Sequence, residues 1–341
     1  MKEILLILFF ALLSIAAKSQ SISELESKAE AGDVTSMEAL GYRYYNGVNV
    51  SQNYEMALKF WLKAAYTGKC QVGVFHNIAI MYQYGRGTEK NIDKAIYWYE
   101  KAVNHGIDVS MYNLGWIYEN ERGYQDYRKA AYWYEKAASK DHPTALNNLG
   151  LLYKNGNGLS QDYSKAAELF EKAIDKGSPE ALVNLGAMYH DGTGVPQDYQ
   201  KAAALFEKAA GLGHDMSFYL LGIMYLCGRG VDVNYQKALE LFSKSLSVNN
   251  DLKTRIAIPI AQARLGEQYY KSKDYSKAVP LIKAAAESKS NPQGSAMRLL
   301  AACYRYGIGG LPIDNDKEQY WMQKAERFRD RAASNILDKT E

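Results

Sequence analysis

The chain has 341 residues, and its 41 lysines and arginines nearly balance its 38 aspartates and glutamates, for a formal net charge of +3. Acidic and basic residues alternate locally, as in Glu135-Lys136 and Glu171-Lys172, which is typical of solvated helix faces and argues against a nucleic-acid partner. With only three cysteines, a fold held together by a framework of disulfides is also excluded.

Residues 1–19 have the features of a secretory signal peptide. Lys2 is followed by an apolar run over residues 4–13, and the small residues Ala17 and Ser19 suit a cleavage site. The alternative is an uncleaved membrane anchor, but the run is shorter than the roughly 20 residues that span a bilayer. We therefore expect export, removal of the signal and no stable membrane insertion of the mature chain.

A leucine or isoleucine followed by a small residue recurs eight times, with spacings of 35 to 44 residues. The pairs are Leu40-Gly41, Ile78-Ala79, Leu114-Gly115, Leu149-Gly150, Leu185-Gly186, Leu221-Gly222, Leu265-Gly266 and Leu300-Ala301. A period of this length predicts an array of helical repeats, in which each copy buries its apolar face against its neighbours. Such arrays present extended binding surfaces, so the expected function is binding.

The fifth copy shows how one repeat is built. Ser178 suits the N-cap of a first helix and Pro179 its first position. Asp191-Gly192-Thr193-Gly194 then ends that helix, because two closely spaced glycines permit positive φ. Asp198 is suited to cap a second helix. The apolar face of that helix carries Ala202, Leu205, Phe206 and Ala209.

The other copies repeat this pattern. Pairs of loop glycines recur at Gly85 and Gly87, Gly156 and Gly158, Gly228 and Gly230, and Gly307 and Gly309. Together, Leu-Gly-x-Met-Tyr, Gly-x-Gly-Val and Asp-Tyr-x-Lys-Ala resemble the Sel1-like repeat, a relative of the tetratricopeptide repeat with a longer loop, over about residues 29–330. The resemblance implies an all-α, right-handed α-solenoid of about eight helix-turn-helix repeats. It also implies a bacterial source, and hence a periplasmic or secreted location.

The copies divide the chain into segments. Sel1-like repeats 1–6 occupy residues 23–249, and Sel1-like repeat 8 occupies 292–330, followed by a polar C-terminal tail over 331–341. Repeat 7, at 250–291, lacks the glycine loop and is more typical of a plain tetratricopeptide unit. The junction from Ser245 to Ile258 is longer than the others, so we expect a kink or altered stacking there.

A row of asparagines lies two residues before the small residue of four successive copies, at Asn77, Asn113, Asn148 and Asn184. In tetratricopeptide proteins that bind C-terminal tails, an asparagine at the matching position holds the peptide backbone. The resemblance therefore implies a concave peptide groove here, because an amide offers both donors and an acceptor. The alternative is that these asparagines bond the neighbouring repeat and hold the stacking.

Further side chains are expected on the same face as the asparagines. They are His76, Tyr84, Tyr112, Trp116, Glu119, Lys154 and His190. Trp116 is the best candidate for a binding anchor, because the size of the residue at its position varies from copy to copy, and buried aromatics often dominate interface energies. The alternative for Trp116 is that it merely covers the adjacent helix.

Catalysis is not expected. No lysine has a serine three residues before it, as a Ser-x-x-Lys hydrolase would need, and no two histidines have zinc-ligand spacing. We expect no cofactor and no metal. Some cysteine-rich relatives are linked to β-lactams, so the alternative is a cell-wall- or β-lactam-directed hydrolase or glycopeptide binder. The favoured function is a non-catalytic protein- or peptide-binding scaffold of the bacterial envelope, with a partner whose identity the sequence does not give.

Overall fold

The computed structural model describes residues 20–337, with side chains as far as residue 328. Over this range all regular structure is helical. The helices are α1 (Ile22–Glu30), α2 (Val34–Asn46), α3 (Tyr54–Tyr66), α4 (Gly73–Tyr84), α5 (Ile92–Asn104), α6 (Val109–Asn120), α7 (Tyr127–Ala138), α8 (Pro143–Asn155), α9 (Tyr163–Asp175), α10 (Pro179–Asp191), α11 (Tyr199–Gly211), α12 (Asp215–Cys227), α13 (Tyr235–Val248), α14 (Leu252–Lys271), α15 (Tyr275–Glu287), α16 (Gly294–Tyr306) and α17 (Asn315–Leu337). The predicted signal peptide, residues 1–19, lies outside the described residues.

The helices pair within each copy, and the chain divides into two compact units between Gly177 and Ser178. In the first unit α1 packs on α2, and the copies are α2–α3, α4–α5, α6–α7 and α8–α9. In the second unit the copies are α10–α11, α12–α13, α14–α15 and α16–α17. Within each unit the second helix of a copy also packs on the first helix of the next. The prediction of an all-α solenoid of eight helix-turn-helix repeats is confirmed.

Local sequence sets the ends of these helices as predicted. Ser178 caps α10, with Pro179 at its first position, and Gly192 ends it in the left-handed conformation, at φ 69°. Asp198 caps α11 by accepting a hydrogen bond of 2.9 Å from the backbone N–H of Lys201. Equivalent caps start the second helices of the first four copies and of the sixth, at Asn53, Asn91, Asp126, Asp162 and Asn234.

Small residues on the first helices allow close contact with the second helices. A Cβ atom added to Gly115 would lie 2.5 Å from the ring of Tyr134, and one added to Gly186 would lie 2.6 Å from the ring of Phe206. Both rings are buried. The crossing between the two helices of a copy therefore depends on the small residue and the aromatic together.

The second loop glycine of a copy lies directly against the preceding copy. A Cβ atom on Gly87 would lie 2.3 Å from the backbone of Tyr54, the first residue of α3. Gly158 is as close to Tyr127, and Gly230 is as close to Tyr199. These glycines also have φ near 70°. Each loop is thereby fixed to the start of the previous second helix.

The irregular junction before the seventh copy takes the form of a longer helix. Helix α14 has 20 residues and begins at a cap on Asp251, which accepts from the backbone N–H of Thr254. Pro259 lies inside it, and its missing N–H leaves the carbonyl of Arg255 without a helical donor. The hydroxyl of Ser290 donates to that carbonyl at 2.8 Å. At the other end of the chain, α17 continues to Leu337, so residues 331–337 of the predicted tail are helical.

Candidate functional site

The first helices of the first unit expose the same three positions in each copy, and we call this surface the first-helix face. The positions lie at i, i+3 and i+7, so the second and third lie about 4.5 and 10.5 Å from the first along the helix axis. The inner row is Ala39, Asn77, Asn113 and Asn148; the middle row is Tyr42, Ile80, Trp116 and Leu151; the outer row is Asn46, Tyr84, Asn120 and Asn155. An apolar middle row is therefore flanked by two rows that consist mainly of amides.

The four asparagines of the predicted row do not share one role. Asn148 donates to the hydroxyl of Tyr134 in the preceding copy at 3.2 Å, and Asn184 is also engaged within the chain. Asn77 and Asn113 are half-buried and make no side-chain hydrogen bond to any residue between 20 and 328. The stacking alternative therefore holds for Asn148, whereas Asn77 and Asn113 keep their hydrogen-bonding groups available.

The partner of Asn148 is the buried aromatic residue of the preceding copy. The hydroxyl of Tyr134 donates to Glu119 at 2.6 Å, and that of Tyr99 donates to Gln83, also at 2.6 Å. Burial and the Glu119 carboxylate hold the pKa of Tyr134 far above its usual value, so its hydroxyl stays protonated. Later copies have a phenylalanine at this position, and they have neither a carboxylate nor an amide at the position of Glu119. Those pairs are Phe170 with Lys154, Phe206 with His190, and Phe242 with Leu226.

The prediction that His76 lies on the binding face is wrong. Its side chain is only 4% exposed, and its Nδ1 lies 2.8 Å from the hydroxyl of Ser110 in the next copy. Burial lowers the pKa of His76 to about 4, so the ring is neutral near pH 7. Position 76 is one residue, or about 100°, away from the exposed stripe, and it points into the interface between copies.

Tyr112 occupies the position of His76 in the following copy and also faces the repeat interface. Its ring stacks on His142 with a centroid distance of 4.9 Å and lies 6.0 Å from the ring of Tyr134. It is half-buried. The structure thus assigns Tyr112 to the contact between the third and fourth copies, beside the first-helix face and not within it.

Trp116 and Tyr84 do lie on the first-helix face. Trp116 is half-buried and packs against the apolar core of the first unit, and Tyr84 is 51% exposed. Lys154 is half-buried beside the outer row and forms no ion pair in the described part of the chain. Trp116 is therefore a partly exposed aromatic residue in the middle of the apolar row.

A cluster of side chains around Arg86 is not predicted from the sequence. The guanidinium of Arg86 lies over the rings of Tyr45 and Tyr84, at 5.8 and 5.4 Å from their centroids, and donates to the hydroxyl of Tyr45. Arg86 is the middle residue of the loop whose Gly87 is fixed against the previous copy. The tripeptide Gly85-Arg86-Gly87 was the available signal, but a loop arginine is normally solvated.

His190, the remaining candidate, lies in the second unit and belongs to a similar cluster. Its Nδ1 lies 2.7 Å from the carboxylate of Asp191, and its Nε2 lies 3.1 Å from a guanidinium nitrogen of Arg229. Arg229 also lies over the ring of Tyr199, at 5.7 Å from the centroid. In the second unit the three exposed positions are Asn184, Ala187 and Asp191 in α10, and Leu220, Ile223 and Cys227 in α12. The asparagine row therefore ends at Leu220.

The described residues offer few arrangements of side chains that could support catalysis or metal binding. Ser110 and His76 form the pair nearest to a catalytic arrangement, but Ser110 is 0% exposed, so a substrate does not reach it. Between residues 20 and 328 no group of His, Cys, Asp and Glu is arranged to hold a metal ion. None of the helices over the described range has the length and hydropathy of a bilayer-crossing segment.

The family model of the Sel1 repeat matches eight segments of the chain, at residues 34–68, 76–107, 108–142, 143–178, 179–214, 219–249, 259–290 and 294–327. The chain belongs to the Sel1 repeat family. The seventh segment is thus counted as a Sel1 repeat, although α14 and α15 are joined by a short turn in which Lys273 has φ 63°.

Two solved structures resemble this Sel1 repeat protein over much of its length. The protective antigen c5321 of uropathogenic Escherichia coli, which displays an SLR fold, is 27% identical, with a TM-score of 0.70 over 91% of this chain and 64% of that one. A Sel1 repeat protein from Oxalobacter formigenes is also 27% identical, with a TM-score of 0.56 over 62% of this chain and 85% of that one.

A curated relative matches a shorter stretch. The putative sel1-like repeat-containing protein L21 of Acanthamoeba polyphaga mimivirus is 41% identical over 56 residues, which are 16% of this chain and 10% of that protein. The Sel1 repeat protein described here therefore spans a small part of this relative and 64% of the Escherichia coli antigen.

Proposed function

We propose that this Sel1 repeat protein is a non-catalytic scaffold that binds a protein or peptide partner through the first-helix face of its first unit. The observation that carries the proposal is the arrangement of the three rows. The amide groups of Asn77 and Asn113 bond no other side chain or backbone group among residues 20–328, and they lie beside an apolar row that includes Ile80 and Trp116. An extended polypeptide matches this arrangement, since its backbone can bond the amides while alternate side chains meet the apolar row.

The packing of the repeats also depends less on the first-helix face than on the opposite sides of the same helices. The helix side that carries Leu114 and Ile117 is fully buried in the core, whereas Trp116 at the surface has residues as different as Tyr42 and Leu151 at its equivalent positions. A large aromatic that packing does not dictate is a frequent hot spot of protein interfaces. These properties favour binding over a purely structural spacer.

The setting of this function is part of the proposal. The apolar run over residues 4–13 and the small residues that follow it support export, and we propose that the mature protein acts in the bacterial envelope or outside the cell. The solved Escherichia coli relative is described as a protective antigen, which suits a protein exposed outside the cytoplasm. No observation on the described residues favours the alternative of a β-lactam-directed hydrolase.

The test is a crosslinking pull-down from native envelope extract with three forms of the protein. The test variant carries Asn77→Ala, Asn113→Ala and Trp116→Ala. The control carries Tyr132→Ala, which removes a 51% exposed aromatic from the second helix α7. Circular dichroism and thermal melting check that all forms fold. The two asparagines have no partner within the described chain, and Trp116 is only half-buried, so we expect the test variant to fold with a lowered melting temperature.

We expect the wild-type and control forms to retain one specific partner that the test variant loses. Retention of that partner by all three forms would place the binding surface elsewhere, on the second helices or the loops. Loss by the control alone would assign binding to the second helices. Hydrolysis of a β-lactam by the purified protein would contradict the non-catalytic part of the proposal.

A further inference from the structure

The clusters around Arg86 and Arg229 have the same framework. Each arginine is the middle residue of a Gly-Arg-Gly loop, and each bonds the side chain that follows the motif tyrosine of the preceding copy, Tyr45 or His190. The backbone carbonyl of Tyr45 accepts from Gln52 at 2.8 Å, and that of His190 accepts from Gln197 at 2.9 Å. The two sites can therefore be compared position by position.

The clusters differ in how the positive charge is balanced. Arg229 bonds His190, whose other nitrogen bonds the carboxylate of Asp191, so a negative charge of the chain itself completes the cluster. The residue at the position of Asp191 in the first copy is Asn46, which is neutral and donates to the carbonyl of Tyr42. Arg86 forms no ion pair with any carboxylate in the described part of the chain.

Arg86 is nevertheless held in place by its neighbours. Its side chain is half-buried, its guanidinium lies over two tyrosine rings, and its loop is fixed by the contact of Gly87 with Tyr54. A guanidinium has five N–H donors, and the bond to Tyr45 uses one of its nitrogens. Because the stacked group is already ordered, an anion that binds there needs little further ordering of the side chain.

We propose that Arg86, with Tyr45 and Tyr84, is a binding site for a carboxylate of the partner polypeptide. The carboxylate supplies the negative charge that Asp191 supplies through His190 in the second unit, but it contacts the guanidinium directly. Tyr84 belongs to the outer row of the first-helix face, so the site lies at the edge of that face. This inference rests on the proposed function, because it names the chemistry of the partner: an acidic peptide, with an apolar side chain placed toward Ile80 and Trp116.

The test selects short random peptides, displayed with free C-termini, on the purified protein. Arg86→Gln removes the charge and keeps an amide donor, and Arg229→Gln is the matched control in the equivalent loop. A synthetic copy of the strongest peptide is then titrated against each protein. Its acidic side chains are exchanged for amides in one version, and its C-terminus is amidated in another, so that the two sources of a carboxylate are distinguished.

We expect the wild type and Arg229→Gln to select peptides with a carboxylate at a fixed position, and Arg86→Gln to lose that preference. The affinity of Arg86→Gln for the synthetic peptide should be lower on the order of tenfold. Arg86→Lys should lower the affinity less, because lysine keeps the positive charge. This variant still tests the site if Arg86→Gln does not fold. Peptides without a fixed carboxylate, or with one that Arg86→Gln still selects, would overturn the site and leave the proposed function standing. Failure of the wild type to select any peptide would overturn both.

Discussion

The hydrogen bond between Tyr134 and Glu119 predicts a specific pattern of stabilities. Tyr134→Phe removes a buried hydroxyl that donates to Glu119 at 2.6 Å and accepts from Asn148 at 3.2 Å. A bond to a charged acceptor contributes about 1.5–3 kcal/mol and a neutral one about 1 kcal/mol. Glu119 is half-buried and keeps some contact with water, so we take the lower end and expect a loss of about 2 kcal/mol in the free energy of unfolding.

The natural copies supply the compensating change. In the sixth copy the equivalent residues are Phe242 and Leu226, so Tyr134→Phe with Glu119→Leu reproduces a pair that the chain already contains. Glu119→Leu alone should also destabilise, because it leaves the buried hydroxyl of Tyr134 without its acceptor. The double variant should therefore lose about 1–2 kcal/mol less than the sum of the single changes.

Urea unfolding of the four proteins, followed by circular dichroism, measures this coupling. The slopes should agree among the four, so that differences in midpoint report stability. A cost below about 0.5 kcal/mol for Tyr134→Phe would show that water satisfies Glu119 equally well. Additive single changes would show that the two side chains do not depend on each other, and the reasoning would be refuted in either case.

Three further predictions concern other parts of the chain. Gly87→Ala should lower the melting temperature more than Gly123→Ala, because both glycines have positive φ but only Gly87 would bring a Cβ within 2.3 Å of the backbone of Tyr54; equal melting temperatures would contradict the fixed loop. Burial lowers the pKa of His76 from 6.5 to about 4, so the unfolded chain binds more protons in this window and stability should fall as pH drops from 6.5 toward 4. His76→Gln should flatten that fall in urea titrations across the window, and an unchanged slope would show that the ring is not buried neutral. Finally, Cys227 is the exposed thiol, and burial raises the pKa of the other two to about 11, so a thiol reagent at pH 8 should label the native protein first at Cys227, as mass spectrometry of the digest would show.

Much of the fold follows from rules that act within a few residues. Ser178, Asp198 and Gly192 start and end their helices as the sequence predicts, because capping depends on the residue itself and its immediate neighbours. The contact between Gly186 and Phe206 is also predictable, since both residues recur with the same spacing in copy after copy.

The candidate site is less predictable, because it depends on pairs of residues in different copies. Whether Asn148 bonds the preceding copy or faces a ligand depends on Tyr134, and a phenylalanine there would leave the amide free of that bond. His76 was misplaced because a difference of one residue turns a side chain from the surface into the interface. The helical period predicts such a turn, but its direction requires knowing where the next copy lies.

The contact of the second loop glycine with the preceding copy constrains which insertions and deletions the sequence can accept during evolution. Gly87, Gly158 and Gly230 each touch the first residue of the previous second helix, so inserting or deleting one loop residue would move two copies relative to each other. Gain or loss of a complete copy leaves every such contact intact. Descendants of this gene should therefore vary in the number of copies and in the exposed residues of the first helices, while the length of the glycine loop stays constant.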